Sequence, residues 1–121
     1  MAGSYLTAEE KAKIGTANGA ELTLLLYEHA VKVADLGEKA AVSGDSSEIN
    51  GCAGQIIKVT DLLLASLDTK YPVTKDFERM YSYLKTRLEE IEDNNAAEVF
   101  DEVGRHFSSI KDNWEKVMKA A

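Results

Sequence analysis

Two histidines and one cysteine leave little material for metal or nucleophilic chemistry in this 121-residue chain. Glu102 and His106 are four residues apart, so on a helix they share a face on which they could ligate a metal. Carboxylate-bridged di-iron bundles need paired Glu-x-x-His motifs, and the sequence contains none. Cys52 lies on an apolar helical stripe, which is typical of a small buried side chain rather than a nucleophile. The pattern therefore predicts no catalytic residue, no metal site and no cofactor.

One histidine–lysine pair would allow an alternative function, phosphoryl transfer. His29 is followed three residues later by Lys32 within a helical pattern. This short stretch resembles histidine phosphotransfer domains, in which an exposed His accepts a phosphoryl group, a Lys three residues on supplies positive charge, and a Gly follows. Val33 stands in place of that Gly. A phosphotransfer domain using His29 is thus the alternative function, and a histidine beside Glu28 on a helix surface is the simpler interpretation.

Composition narrows the function classes further. Fourteen Lys and Arg against 21 Asp and Glu give a net charge of −7, which disfavours nonspecific attraction to nucleic acid or to anionic membranes. The apolar runs, such as Leu24–Tyr27, are too short to cross a bilayer, so no membrane insertion is expected. The first residues show no basic segment followed by an apolar one, so we expect no signal peptide. A single cysteine can form no internal disulfide, which fits a reducing compartment and predicts a cytosolic protein.

Turn chemistry marks where the helices begin and end. The N-terminal segment, residues 1–18, contains a short helical pattern at Ala8–Ile14, and a long one follows from about Ala20 to Val42. Asp45, with Glu48 three residues later, is a capping box that opens the second helix. The second helix carries apolar residues at helical spacing, namely Ile49, Cys52, Ala53, Ile56, Val59, Leu63 and Leu67.

The second half of the chain holds two more helical patterns. Pro72 keeps the preceding connection out of helix, and Thr74 is predicted to be the N-cap of the third helix. Asn95, with Glu98 three residues later, is predicted to cap the fourth. The third stripe is Phe77, Met80, Tyr81, Leu84, Leu88 and Ile91, and the fourth is Val99, Phe100, Val103, Phe107, Ile110, Trp114, Val117 and Met118.

Four helices joined by short connections pack most simply as an antiparallel up-down four-helix bundle, an all-α fold. No stretch alternates with the period of two that a strand requires. We therefore expect one domain over residues 1–121, with the bundle at about 20–120. Residues 1–18 are expected to form a short, loosely attached N-terminal helical segment.

The first two helices carry more apolar residues than one buried face requires. In the first helix one stripe holds Leu22, Leu26, Val33, Leu36 and Ala40, while Leu24, Tyr27, Val31 and Ala34 point elsewhere. In the second, Leu62–Leu64 cover about 200° of the helix circumference. Two interpretations stay open: a helix with neighbours on both sides, or a hydrophobic groove outside the bundle that receives a partner segment.

Four sequence signatures occur in order at helix-length spacing. They are Thr16-Ala17 with Glu21–Glu28 and Ala30; Ile56-Ile57 with Leu62 and Ser66–Asp68; Met80-Tyr81, Tyr83-Leu84 and Arg87-Leu88; and Glu102-Val103 with Trp114. Together they resemble the signatures of the flagellar secretion chaperone FliS family. The resemblance covers about Ile14 to Met118, nearly the whole chain.

Four positions depart from the family pattern. Asn18-Gly19 stands where the family has Ser-Pro, and Gly19 can still make the turn. His29 occupies a family Gly position. Glu9 stands at the spacing of an early family Tyr, and the nearest tyrosine, Tyr5, lies one helical turn earlier.

The resemblance implies a cytosolic export chaperone that is not an enzyme. Such proteins bind the disordered C-terminal segment of flagellin, prevent its premature polymerisation and assist its delivery to the flagellar type III export gate. No cofactor and no nucleic acid take part. A bundle with surplus apolar surface suits this role, because coupled folding and binding of a segment buries about 1,000–3,000 Å².

The same resemblance indicates candidate residues for the flagellin groove, some of which must belong to the core. These candidates are Leu22, Leu25, Leu26, Tyr27, Ile57, Leu64, Tyr83, Leu84 and Leu88, with Leu25, Ile57, Leu64 and Tyr83 favoured because they lie outside the main stripes. In the family, the N-terminal segment covers the groove when no flagellin is present. Here that segment would use Tyr5, Leu6 and Ile14.

Overall fold

The structure, a computed structural model, describes residues 19–68 and 71–120. These residues form four helices, α1 (Gly19–Ser43), α2 (Ser46–Ala65), α3 (Thr74–Glu89) and α4 (Ala96–Ala120), and contain no strand. The predicted all-α helical bundle is confirmed. The N-terminal segment predicted over residues 1–18 lies outside the described residues.

The turn between α1 and α2 follows the predicted capping chemistry. Gly44 has φ of 75°, a left-handed conformation that glycine adopts without steric cost. Asp45 then caps α2, and its Oδ1 accepts a hydrogen bond from the Glu48 backbone N–H at 3.1 Å. This bond satisfies one of the backbone donors that a helix start leaves without an intrahelical partner.

The caps predicted for α3 and α4 are replaced by other contacts. Thr74 is the first residue of α3 rather than its N-cap, a position taken by Val73 without a side-chain hydrogen bond. The prediction is wrong because the Thr74 hydroxyl donates to the Asp68 carbonyl, which ties α3 to the end of the preceding connection. Asn95 directly precedes α4, and its side chain bonds backward, accepting from the Glu92 N–H and donating to the Glu90 carbonyl.

The helices pack in an antiparallel arrangement. α1 packs against both α2 and α4, α2 packs against α3, and α3 meets α4 over a smaller area. The indole N–H of Trp114, near the end of α4, donates to the Ala20 carbonyl at the start of α1, at 3.0 Å. At the opposite end of the same helix pair, Gly37 lies against the ring of Phe100. α1 therefore makes the most extensive contacts with other helices.

The core is built from large side chains of α2, α3 and α4 and mostly small ones of α1. Its fully buried large side chains include Tyr27, Ile49, Ile56, Leu63, Leu84, Leu88, Phe100 and Phe107. The buried positions of α1 are Tyr27, His29, Ala30, Val33, Ala34, Gly37 and Ala40. The stripe predicted for α1 is therefore wrong at Leu36, which is exposed, and at Leu22 and Leu26, which are only half-buried.

Candidate partner-binding groove

An open apolar groove runs along the outside of the bundle between α1 and α2. This α1–α2 groove has a volume of about 450 Å³. Its walls are Gly19, Leu22, Thr23, Leu25, Leu26 and His29 from α1, and Gln55, Lys58, Val59, Leu62 and Ser66 from α2 and its C-cap. Such a concave apolar surface is the usual form of a binding site for an apolar ligand or segment.

The antiparallel pairing of α1 and α2 sets the shape of the groove. Gly19 and Ser66 lie at one end, where α1 begins and α2 ends, while His29 and Gln55 lie at the other. Leu62 projects from α2 with 58% of its surface exposed, although it is a large apolar residue. Burying such a side chain stabilises a complex by about 1.5–3 kcal/mol, so the exposed leucine favours binding of a partner.

The polar groups of the groove are few. The Thr23 hydroxyl donates to the Gly19 carbonyl at 3.0 Å, so it is satisfied within its own helix. His29 is only 5% exposed. Lys58 is exposed and is the one charged residue among the described residues that line the groove. The groove therefore favours apolar partners along most of its length. It offers polar contacts at the end where His29 and Gln55 lie.

A second pocket of about 230 Å³, the bundle-end pocket, shares Thr23 and Ser66 with the groove. It lies where the helix ends meet, and its lining includes Tyr27, Leu67, Tyr71, Phe77, Tyr81 and Trp114. Two of these residues form a buried hydrogen bond with each other: the hydroxyl oxygens of Tyr27 and Tyr81 are 2.5 Å apart. Burial raises the pKa of both phenols. The Tyr27 ring also meets the Trp114 ring edge-on, with centroids 6.2 Å apart. These contacts fix an aromatic wall next to the groove.

A polar cluster joins α3 to α4 away from the groove lining. The Glu102 carboxylate accepts a hydrogen bond from the Tyr83 hydroxyl at 2.5 Å and another from Arg87 Nε at 2.7 Å. These two bonds, the one from Tyr83 first, lower the pKa of Glu102. The His106 ring lies edge-on to the Tyr83 ring, with centroids 6.3 Å apart. Glu102 is thus engaged in holding two helices together.

The structure separates the predicted groove residues into three groups. Leu22, Leu25 and Leu26 line the α1–α2 groove. Ile57 and Leu64 are partly buried against the core outside the groove lining, and Tyr83 lies in the α3–α4 cluster. Tyr27, Leu84 and Leu88 belong to the core. The N-terminal candidates Tyr5, Leu6 and Ile14 lie outside the described residues.

Several groove residues were missed by the sequence analysis, namely His29 as a lining residue, Gln55, Lys58, Val59, Leu62 and Ser66. A signal for them exists, since residues 55, 58, 59, 62 and 66 recur at the three- and four-residue spacing of one helix face. The surplus of apolar residues at Leu62–Leu64 pointed to the correct helix. It did not show which of the three leucines faces outward, and the structure places Leu63 in the core.

The chemical alternatives have little support among the described residues. No group of three His, Cys, Asp or Glu side chains there is placed to hold a metal ion. The phosphotransfer interpretation needs an accessible histidine, whereas His29 is 5% exposed. No helix in the described ranges is both long and apolar enough to span a membrane.

Comparison with known proteins agrees with the four signatures. The sequence model of the family described as flagellar protein FliS matches residues 1–121. The flagellar secretion chaperone FliS of Bacillus subtilis (strain 168) is 24% identical over 114 residues, which cover 94% of this chain and 86% of that protein. The resemblance inferred from the signatures is confirmed. The chain belongs to the FliS family of flagellar proteins.

Proposed function

We propose that this protein is a flagellar secretion chaperone, without enzymatic activity, that holds the C-terminal segment of flagellin in the cytosol. In this role it prevents premature polymerisation and assists delivery to the flagellar type III export gate. The observation that carries the proposal is the α1–α2 groove, an apolar concavity of about 450 Å³ on the outside of the bundle. The family membership and the name of the Bacillus subtilis relative support it.

The groove has the dimensions of a short amphipathic helix. Its α1 wall extends from Gly19 to His29, which corresponds to about 15 Å along the helix axis. A partner helix of about three turns fits this length and presents apolar side chains at three- and four-residue spacing. Segments that polymerise through apolar helical stripes carry such a pattern, and covering the stripe blocks self-association. The groove therefore suits a segment of flagellin better than a small molecule.

A segment that folds on binding needs more contact area than one groove provides. Ordering a disordered chain costs several kcal/mol, so coupled folding typically buries about 1,000–3,000 Å². We propose that the rest of the flagellin segment continues over neighbouring apolar surface. Ile57 and Leu64, partly buried on α2, and Tyr83, 47% exposed on α3, are candidates for these further contacts. The bundle-end pocket adjoins the groove, since Thr23 and Ser66 line both, and it offers further apolar surface next to it.

We also propose that the N-terminal segment covers the groove in the absence of flagellin. Gly19, where α1 begins, lines the groove, so the preceding 18 residues are attached at its end. That length of chain can reach about 60 Å when extended, which exceeds the length of the groove. Tyr5, Leu6 and Ile14 are the large apolar residues available to cover it.

The proposal is tested by titrating a peptide of the last 40 or so residues of the cognate flagellin against wild type and groove variants. Leu25→Ala and Leu62→Ala remove side chains from the two walls. We expect each to weaken binding by about 1–3 kcal/mol, as truncation of an interface anchor does. Because Leu62 is largely exposed, the melting temperature of Leu62→Ala should differ little from that of wild type. Ile57→Ala and Leu64→Ala, titrated beside them, test the proposed further contacts.

Val117→Ala is the matched control, because Val117 is 60% exposed on α4 and outside the groove. It should bind as wild type does. Normal binding by both groove variants would place the site elsewhere on the bundle. Failure of wild type to bind the peptide would refute the chaperone function itself.

A further inference from the structure

Trp114 of α4 contacts the first turn of α1, where one wall of the α1–α2 groove begins. Its indole N–H donates to the Ala20 carbonyl at 3.0 Å, across 94 residues of sequence. Gly19 precedes Ala20 and Leu22 follows it by two residues, and both of them line the groove. Trp114 itself lines the neighbouring bundle-end pocket and not the groove. The hydrogen bond therefore acts from outside the groove on the backbone that carries the groove wall.

A buried aromatic contact fixes the Trp114 ring. This ring meets that of Tyr27 edge-on, with centroids 6.2 Å apart. Tyr27 is 1% exposed, and its hydroxyl is hydrogen-bonded to that of Tyr81 on α3. Along α1, Tyr27 lies about two turns beyond Ala20. Trp114 thus joins α1 at two points, one in the core and one at the start of the helix.

Burial contributes little to holding the start of α1. Gly19, Ala20 and Glu21 are exposed, and Leu22 is only half-buried. The first turn of a helix also frays more readily than its middle, because its backbone N–H groups have no partner within the helix. A bond from Trp114 to this turn lowers the population of frayed molecules. A groove wall that is formed before binding raises affinity, because the wall then needs no ordering when the partner arrives.

We propose that Trp114 is a positioning residue for flagellin binding, whose indole N–H holds the first turn of α1 in the helical form that the α1–α2 groove requires. The inference deepens the proposed function and rests on it, since it concerns the same groove. Molecules in which this turn has frayed lack the wall from Gly19 to Leu22, so they bind flagellin weakly. The apparent dissociation constant then rises as the formed fraction falls. A hydrogen bond of ordinary net strength changes such an equilibrium by about two- to tenfold, which limits the loss of affinity to about tenfold.

The test removes the indole N–H and keeps the shape of the ring system. The chain contains one tryptophan, so biosynthetic replacement of tryptophan by benzothienylalanine, in which sulfur stands in place of the N–H group, changes Trp114 alone. The flagellin C-terminal peptide is titrated against the full-length protein with either residue. The substituted protein should bind about two- to tenfold more weakly. Protein that carries a ring-fluorinated tryptophan keeps the N–H group and is the matched control, which should bind as wild type does.

Amide hydrogen exchange distinguishes a positioning role from a contribution to overall stability. The amides of Thr23, Leu24 and Leu25 bond to carbonyls of the first turn of α1, so their exchange reports fraying there. Loss of the indole N–H should speed their exchange about two- to tenfold. The amide of Ile56, which is fully buried on α2, should exchange as in wild type. Peptide binding should slow exchange of the three α1 amides in both proteins.

Trp114→Phe gives a second way to remove the N–H group while an aromatic ring stays beside Tyr27. It should weaken binding and speed exchange of the three α1 amides in the same direction. Unchanged affinity, unchanged exchange of those amides, or equally faster exchange at Ile56 would overturn the inference while leaving the chaperone function intact. Absence of peptide binding by wild type would overturn both.

Discussion

Gly37 of α1 lies directly against the ring of Phe100 of α4. A Cβ atom added to Gly37 would stand 2.6 Å from two ring carbons, closer than such atoms approach one another. Phe100 is fully buried, so its ring is packed among neighbouring side chains. One turn along the same interface, a Cβ on Gly104 would lie 3.2 Å from Cβ of Ala34. The absence of side chains at these positions sets how closely α1 and α4 approach.

Gly37→Ala is therefore expected to destabilise the bundle. Overpacking a filled core costs about 1–3 kcal/mol, which outweighs the gain of about 1 kcal/mol from replacing glycine by alanine inside a helix. Gly54→Ala is the matched control, since a Cβ there meets nothing within 4 Å. It should stabilise the protein by about 0.5–1 kcal/mol. Urea unfolding of both variants measures the difference, and a stabilising Gly37→Ala would contradict the packing described here.

The α1–α4 contact also explains which parts of the fold could be predicted from sequence. α2 and α4 bury large side chains at helical spacing, so their stripes were visible as apolar periodicity. α1 instead packs through small residues, Ala30, Ala34, Gly37 and Ala40, which allow close approach to its neighbours. The predicted stripe is correct at Val33 and Ala40, which are buried. It wrongly included the large leucines Leu22, Leu26 and Leu36 and left out Tyr27 and Ala34, which belong to the core. The half-buried leucines Leu22, Leu25 and Leu26 line the groove.

The site was predictable only in part for the same reason. The surplus of apolar residues on α1 and α2 identified the two helices that form the groove. Which side chains point outward depends on the rotation of each helix, and that rotation is fixed by contacts such as Gly37 with Phe100. The partner of Tyr83 is equally non-local, since Glu102 is 19 residues away on another helix.

The hydrogen bond between Tyr27 and Tyr81 gives a second stability prediction. Tyr81→Phe leaves the Tyr27 hydroxyl buried without this partner, which costs about 1–3 kcal/mol. Changing both residues to Phe removes both polar groups from the core. The double variant should therefore be less destabilised than the sum of the two single variants, by about 0.5–3 kcal/mol of coupling energy. Strict additivity in urea unfolding would mean that the bond contributes no coupling.

Because of the same tyrosine pair, we expect the stability of the fold to decrease at alkaline pH. Burial is the main cause that raises the pKa of Tyr27 and Tyr81 in the folded protein. In the unfolded chain both phenols titrate near pH 10, so deprotonation favours unfolding above that pH. The stabilisation is complete below pH 10 and decreases as pH rises, by up to about 1.4 kcal/mol per unit and per tyrosine. Urea unfolding at pH 8, 9.5 and 10.5 tests this. The double Phe variant should show a smaller slope.

The Glu102 carboxylate should make the stability of the fold decrease as pH falls, the opposite of the tyrosine effect. Its pKa is lowered first by the hydrogen bond from Tyr83 and then by that from Arg87. The stabilisation from this carboxylate is therefore present above its ordinary pKa of about 4.5 and is lost as pH falls through the lower folded value. Glu102→Gln should melt below wild type at pH 7, and the difference should shrink towards pH 3. A difference between Glu102→Gln and wild type that stays constant from pH 7 to pH 3 would contradict this role of the carboxylate.

The proposed cover of the groove makes a prediction for the N-terminal segment in the full-length chain. Leu6→Ser and Ile14→Ser weaken any apolar contact that this segment makes with the groove, and they change no residue of the four helices. A cover held by about 1–2 kcal/mol leaves only a small fraction of molecules open, so its loss should tighten flagellin peptide binding about five- to thirtyfold. Lys11→Ser, a polar change in the same segment, should leave affinity as in wild type. Binding that weakens in Leu6→Ser and Ile14→Ser would instead show that the segment contacts flagellin directly, because a competing cover can only lower the affinity of the protein that carries it.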